Sequence, residues 1–167
     1  GKGAFSRRCF GFRGASGIDG TLSMGMGLSI IMGRMILITG DLALLHDTNG
    51  WLFSKNSNIS LVVIMIDNGG GGIFNQLNID EIQEGDFEEI FLMPQRVCPL
   101  TLAKAYGVKY KQVACLDDLE QAIEWSFSLS TNVLIRVCTN SVEDHKLRVS
   151  LRDDLKRTLS ESLSSFD

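Results

Sequence analysis

Six consecutive apolar residues, Leu61-Val62-Val63-Ile64-Met65-Ile66, run without polar alternation into Asp67-Asn68-Gly69-Gly70-Gly71-Gly72-Ile73-Phe74. A strand apolar on both faces belongs in a parallel sheet covered by helices on each side. A second such run, Met35-Ile36-Leu37-Ile38-Thr39, ends in Gly40-Asp41-Leu42. Each run therefore delivers a polar residue, Asp41 or Asn68, to the carboxyl end of a buried strand. That is the edge at which open α/β sheets bind ligands.

The two polar residues suit a particular chemistry. Mg²⁺ takes near-octahedral oxygen ligands, usually one or two carboxylates from the protein and the rest from substrate phosphates and water. Asp41 offers a carboxylate and Asn68 a neutral carbonyl oxygen. A second carboxylate would repel a polyanion sharing the same ion. The glycines from Gly69 to Gly72 let backbone approach phosphate and aim N–H groups at it, and a carbonyl there can complete the metal shell. The plainer alternative is a helix N-cap Asp followed by an unrelated glycine-rich turn.

The rest of the pattern alternates strands with helices. Cys9-Phe10-Gly11-Phe12 reads as a first short strand. Residues 21–32 read as a helix crowded with Gly and Ser, which makes sense under very close packing or beside a ligand, the alternative being a poorly formed buried helix. Residues 42–56 read as one helix that turns Leu44, Leu45, Trp51 and Leu52 to the sheet, with His46 structural rather than a ligand. The acidic, irregular stretch 75–99 suggests a flap or short helix over the site. Pro99 opens a helix that Gly107 stops, and 108–115 is a strand. A helix over 117–127 carries Asp117 and Glu120 as a capping pair, with Leu119, Ile123 and Phe127 on one side. Residues 132–138 form another buried strand. Ser141 and Asp144 cap a final long helix whose stripe of Leu147, Leu151, Leu155, Leu159 and Leu163 docks on the core or on a partner. The expected fold class is α/β, a mainly parallel sheet with helices on both faces.

One domain accommodates all 167 residues. The formal net charge of −4 argues against a nucleic-acid surface, and no apolar stretch is long enough to span a bilayer. The four cysteines form no C-x-x-C pair, and with two histidines a zinc site is not expected. Reduced thiols point to an intracellular setting, cytoplasm or plastid stroma. Gly1 is read as a cut within a longer protein.

A Gly-Asp pair followed one β-α-β unit later by Asn is the signature of thiamine diphosphate (ThDP) enzymes, although Leu42 replaces the usual glycine. Three segments together narrow the match. These are Phe12-Arg13-Gly14-Ala15-Ser16-Gly17-Ile18-Asp19-Gly20, Gly40-Asp41-Leu42 with His46-Asp47-Thr48-Asn49-Gly50, and Asn68-Gly69-Gly70-Gly71-Gly72-Ile73-Phe74. They resemble the 2-succinyl-5-enolpyruvyl-6-hydroxy-3-cyclohexene-1-carboxylate (SEPHCHC) synthase family of menaquinone and phylloquinone biosynthesis. The resemblance extends through Leu92-Met93-Pro94 and Ala105-Tyr106-Gly107-Val108. It covers only the family's carboxyl-terminal, diphosphate-binding domain, here residues 1–167.

The resemblance implies that Asp41, Asn68 and the Gly70 carbonyl bind Mg²⁺ (Mn²⁺ being the alternative ion), with Gly40, Leu42 and Gly71 beside the ThDP diphosphate. It implies that Ile18 wedges the cofactor into its bent form, that Gly17 lies against its pyrimidine, and that Ile73 and Phe74 line the pocket. Arg13 would face a substrate carboxylate, a sensible role because 2-oxoglutarate and isochorismate are both polyanions. The implied reaction decarboxylates 2-oxoglutarate and adds the remaining four-carbon unit to isochorismate, with the cofactor as electron sink. In such enzymes a glutamate from a pyrimidine-binding domain, usually on another subunit of a dimer or tetramer, activates the cofactor. That domain lies outside this chain, so the chain alone is expected to be inactive and to bind ThDP weakly if at all.

Two residues depart from the family pattern: Asp67 and Gly69 stand where Asn is common. Alternation along a strand predicts that Asp67 faces away if Asn68 faces the metal. Rival readings are another ThDP-dependent 2-oxo acid decarboxylase or carboligase, a nucleotide-binding α/β module, and a regulatory domain that kept the fold. The nucleotide reading lacks both G-x-G-x-x-G after a first strand and a Walker lysine.

Overall fold

The computed structural model describes residues 8–11, 17–56, 58–77 and 84–164. Four parallel strands form one sheet in the order β1-β2-β4-β3, with β1 at Met35–Gly40, β2 at Leu61–Asp67, β3 at Lys109–Val113 and β4 at Val133–Cys138. The two runs of unbroken apolar residues are thus neighbours, paired from Met35↔Leu61 to Gly40↔Ile66. The fold is α/β, as its strand-helix alternation requires.

Side-chain alternation along the strands divides the core in two. On one face Leu61, Val63, Met65 and Leu134 pack with Leu22, Met26, Leu44, Trp51 and Ala103. These come from α1 (Thr21–Met32), α2 (Asp41–His46), the 3₁₀ segment Thr48–Lys55 and α4 (Pro99–Ala105). On the other face Val62, Ile64, Val133 and Ile135 pack against Ala122, Leu119 and Ile123 of α5 (Leu116–Phe127). Phe127 is half-exposed, with the Arg34 guanidinium 5.2 Å from its ring centroid.

The glycines of α1 have a packing reason. A Cβ at Gly25 would stand 3.2 Å from Leu37 and 3.4 Å from Leu61, so the helix lies close on β1 and β2. At the amino edge of the sheet, buried Asn132 accepts the Leu61 N–H on Oδ1 at 2.8 Å and donates from Nδ2 to the Ser54 carbonyl at 3.0 Å. One amide side chain therefore joins the starts of β2 and β4 to the segment before them.

Several local expectations are corrected. Residues 8–11 are exposed and form no strand, while Phe12 lies outside the described residues. Residues 42–56 are not one helix: α2 stops at His46, Asp47 leaves helical geometry (φ −107°, ψ 29°), and a 3₁₀ turn follows. The cause is Asp47, whose carboxylate accepts the Ser23 N–H at 2.7 Å and the Ser23 hydroxyl at 3.0 Å and so cannot continue the helical course. Trp51 is buried but Leu52 is exposed.

Helix α5 begins one residue earlier than expected, with Cys115 in the cap position, so Asp117 and Glu120 form no capping pair. Cys115 instead donates its thiol to Asp118 at 3.1 Å. In α6 (Ser141–Ser164) the cap is Asn140, whose Oδ1 accepts the N–H groups of Val142 and Glu143 at 3.0 and 3.1 Å. Asp144 is occupied by the Thr139 hydroxyl. Leu147, Leu151, Leu155 and Leu159 are all more than half exposed, so this stripe does not dock on the core. Spacing of four throughout winds it around the helix instead of holding one face. Among the described residues no helix is long and apolar enough to cross a membrane.

Candidate functional site

Because all four strands run the same way, β1 and β2 end side by side, and Asp41 and Asp67–Asn68 emerge at one edge. Helix α1 packs back onto β1 and β2 ahead of them in the chain. Residues Gly17 and Ile18 lead into that helix, both exposed, with the Thr21 hydroxyl donating to the Ile18 carbonyl at 2.9 Å. Arg13 lies outside the described residues, as do Gly14, Ala15 and Ser16.

Asp41 is 7% exposed. Its Oδ1 accepts the Leu42 N–H at 2.9 Å, and the Gly70 N–H is near enough to favour its charged form. Burial pushes its pKa up from 3.8 to about 6, the two N–H groups oppose the rise, and the neighbouring Asp67 carboxyl adds to it. Such a buried carboxylate waits for a positive charge, and a cation arriving beside it would bring its pKa back down.

Asp67 is where the sequence reading fails. It is buried, and it lies within hydrogen-bonding reach of Asp41. The register explains why: Gly40 pairs with Ile66, so the residue after each strand pair, Asp41 beside Asp67, falls on the same face. Alternation along the strand could not tell which of Asp67 and Asn68 shares a face with Asp41, and Asn68 lies just beyond the end of β2. Arg136 of β4 is on that face too, and its Nε donates to Asp67 Oδ2 at 2.6 Å. A cleft of about 120 Å³ is lined by Asp41, Leu45, Asp67, Gly69, Gln95, Val97, Pro99 and Arg136. Sequence reasoning missed Arg136. The available signal was a lone cation inside the apolar run Val133-Leu134-Ile135-Arg136-Val137, which needs a partner if buried.

Asn68 follows immediately. Its Oδ1 is buried and has no hydrogen-bond partner, while a Cβ at Gly72 would come within 2.6 Å of its Nδ2. The side chain is thus held by the curl of the glycine turn with one acceptor left empty. Gly69 and Gly70 have φ of 85° and 134°, a course that excludes ordinary side chains at Gly70 and favours Gly or Asn at Gly69. The Gly70 carbonyl accepts the Gly72 N–H at 2.9 Å.

Gly71 has a packing role in the fold. Its N–H donates to the Leu92 carbonyl at 2.6 Å. Cβ atoms at Gly70 and Gly71 would collide with the carbonyl oxygens of Leu92 and Phe91, respectively. The small size of these two residues admits the π-helical turn Glu88–Leu92, which follows α3 (Glu84–Phe87). The expected flap is therefore a wound segment lying on the glycine turn. Phe91 stacks on Phe87 at 5.3 Å and meets Phe74 edge-on at 5.6 Å. Ile73, beside Phe74, is 63% exposed.

The donor set at this edge consists of hard oxygens: a buried carboxylate, a second one paired with Arg136, and an amide oxygen without a partner. Such donors suit Mg²⁺ or Mn²⁺ rather than a soft metal.

Comparison with known proteins identifies the family. Residues 5–137 match the family model described as thiamine pyrophosphate enzyme, C-terminal TPP binding domain. A curated relative named SEPHCHC synthase from Prochlorococcus marinus strain NATL1A is 89% identical over all 167 residues, which span 28% of the relative. One of the same name from Parasynechococcus marenigrum strain WH8102 is 55% identical over 149 residues, 89% of this chain and 27% of the relative. The chain thus spans little more than a quarter of the curated relatives it matches.

Among solved structures, the thiamine diphosphate-dependent 4-hydroxybenzoylformate decarboxylase of Rhodococcus jostii RHA1 superposes with a TM-score of 0.57 at 21% identity. The match covers 71% of this chain and 23% of that one. Benzoylformate decarboxylase from Polynucleobacter necessarius gives 0.55 at 18% identity, covering 74% and 23%. At these identities the structures speak for the fold alone.

Proposed function

The chain belongs to the family of thiamine pyrophosphate enzyme C-terminal TPP-binding domains, and on that premise we propose that residues 1–167 are the diphosphate- and cation-binding domain of a SEPHCHC synthase. The name is that of relatives up to 89% identical. The observation that carries the cation part is the empty acceptor of Asn68, a buried oxygen without a partner at the sheet edge where the buried Asp41 also emerges. A native fold rarely leaves such an oxygen unsatisfied without a reason.

In this reading Asp41, Asn68 Oδ1 and the Gly70 carbonyl hold Mg²⁺ or Mn²⁺, and Gly40, Leu42 and Gly71 flank the diphosphate. Gly17 and Ile18 meet the pyrimidine, while Ile73 and Phe74 wall the substrate pocket. Arg13 binds a carboxylate of 2-oxoglutarate or isochorismate. When bound, ThDP supplies the electron sink for decarboxylation and carbon–carbon bond formation. The protein supplies fixed charge, an oriented cation and a pocket lined by apolar groups. The full-length enzyme, in cytoplasm or plastid stroma, works as a homo-oligomer in which another subunit's pyrimidine-binding domain completes the site. Its product feeds menaquinone or phylloquinone biosynthesis, and the 167-residue chain alone does not turn over.

The test is NMR titration of the chain with ThDP and Mg²⁺, following the Asn68 side-chain amide, with ATP and NAD as controls. The Asn68 resonance should move with Mg²⁺ and ThDP together and lose this response in Asp41→Ala. A shift independent of Mg²⁺, or an equal one with NAD, would overturn the reading.

A further inference from the structure

Asp41 and Asp67 line the same buried cleft of about 120 Å³, and two carboxylates held that close repel unless a positive charge stands beside them. Asp67 is held on its other side: Oδ2 by the Arg136 Nε at 2.6 Å and Oδ1 by the Gly69 N–H at 3.1 Å. Arg136 is itself steadied by Gln112, whose Oε1 accepts its Nη1 at 3.1 Å.

From this arrangement we infer that Asp67 is a further oxygen ligand of the divalent cation, and that Arg136 is the counter-charge that makes a second carboxylate tolerable there. The inference rests on the function proposed above, since it presumes a cation at Asp41. Charge decides the matter. The two carboxylates and the guanidinium together carry the single negative charge that Asp41 carries alone. The extended site gains a ligand for the cation without gaining net repulsion toward a diphosphate. Asp67 without Arg136 would hold the cation but reject the polyanion. Arg136 without Asp67 would leave an unpartnered charge beside the metal.

The experiment measures Mn²⁺ binding to the full-length enzyme by the loss of the free-ion electron paramagnetic resonance signal, then ThDP binding at saturating Mn²⁺ by calorimetry. Asp67→Asn is expected to weaken Mn²⁺ binding about tenfold, in the range seen when a group supporting a metal site is removed. Arg136→Gln should tighten Mn²⁺ binding and weaken ThDP binding, Arg136→Lys should keep the wild-type order, and the double variant Asp67→Asn with Arg136→Gln should regain ThDP affinity. A purely structural role would not send the two ligands in opposite directions.

If Asp41→Asn abolishes Mn²⁺ binding while Asp67→Asn leaves it unchanged, the inference is overturned and the proposed function stands. If Asp41→Asn changes nothing, the proposed function falls and takes the inference with it. Circular dichroism checks folding. Should Asp67→Asn fail to fold, Arg136→Gln decides by itself: its side chain is 26% exposed, and unchanged Mn²⁺ and ThDP affinities would overturn the inference.

Discussion

Asp47 accepts two hydrogen bonds from Ser23, one from the backbone N–H at 2.7 Å and one from the hydroxyl at 3.0 Å. This pair ties the first turn of α1 to the end of α2, and with them the Gly17–Ile18 approach to the helix that follows the candidate metal residue. Replacing Asp47 with Ala leaves the Ser23 groups without their acceptor and is expected to lower stability by about 1–3 kcal/mol. Urea unfolding checks this, as a lower midpoint with an unchanged slope.

The glycine turn separates two kinds of glycine. Gly71 has an ordinary φ of −74° but no room, because the Phe91 carbonyl lies where a Cβ would go. Gly69 has room but a φ of 85°. Gly71→Ala is therefore expected to push the turn 88–92 away, read as faster amide exchange at Leu92 and Met93. Gly69→Asn should change stability by less than about 1 kcal/mol, since Asn tolerates left-handed backbone. Gly69→Val should lose more.

Burial raises the Asp41 pKa from 3.8 to about 6, so the folded chain holds a proton that the unfolded chain releases earlier. The contribution to stability is complete below about pH 3.8 and disappears as pH rises through about 6. Its size is on the order of 3 kcal/mol. Stability measured from pH 3.5 to 7.5 should fall across that window relative to Asp41→Asn. Saturating Mn²⁺ should abolish the fall, because the cation replaces the proton. A wild-type profile parallel to that of Asp41→Asn would refute the assignment.

Leu151 and Leu155 lie on a helix surface with no core contact and are 58% and 61% exposed. Substituting both with Gln is expected to leave the thermal midpoint of the chain within the range of neutral surface changes, about 0.5 kcal/mol per site. A large loss would mean that the stripe is buried in solution, and sedimentation velocity would then find an assembly larger than one chain.

What could be read beforehand followed from burial. Leu61 to Ile66 was readable as an interior strand because it is short, β-branched and closed by glycines, and Asp41 and Asn68 at the strand ends came with it. The break at Asp47 was not legible, since it depends on Ser23, 24 residues away in the chain. The helix starts at Leu116 and Ser141 were misjudged by a single position, which was enough to assign the wrong capping residue. For Asp67 the register with β1 was unknown, and only that register puts its carboxylate beside Asp41. Arg136 stayed hidden for the same reason: a cation in an apolar strand announces a need for a partner without naming it.

The all-parallel sheet has one last consequence. Asn132, which pins the strand starts, and Asp41, which ends one of them, stand at opposite poles separated by a strand length of roughly 20 Å. They share no hydrogen-bond partner, so injuries to the two poles should sum. An engineer can accordingly reinforce the floor of this molecule at Asn132 and Ser54 while leaving the chemistry of its roof untouched.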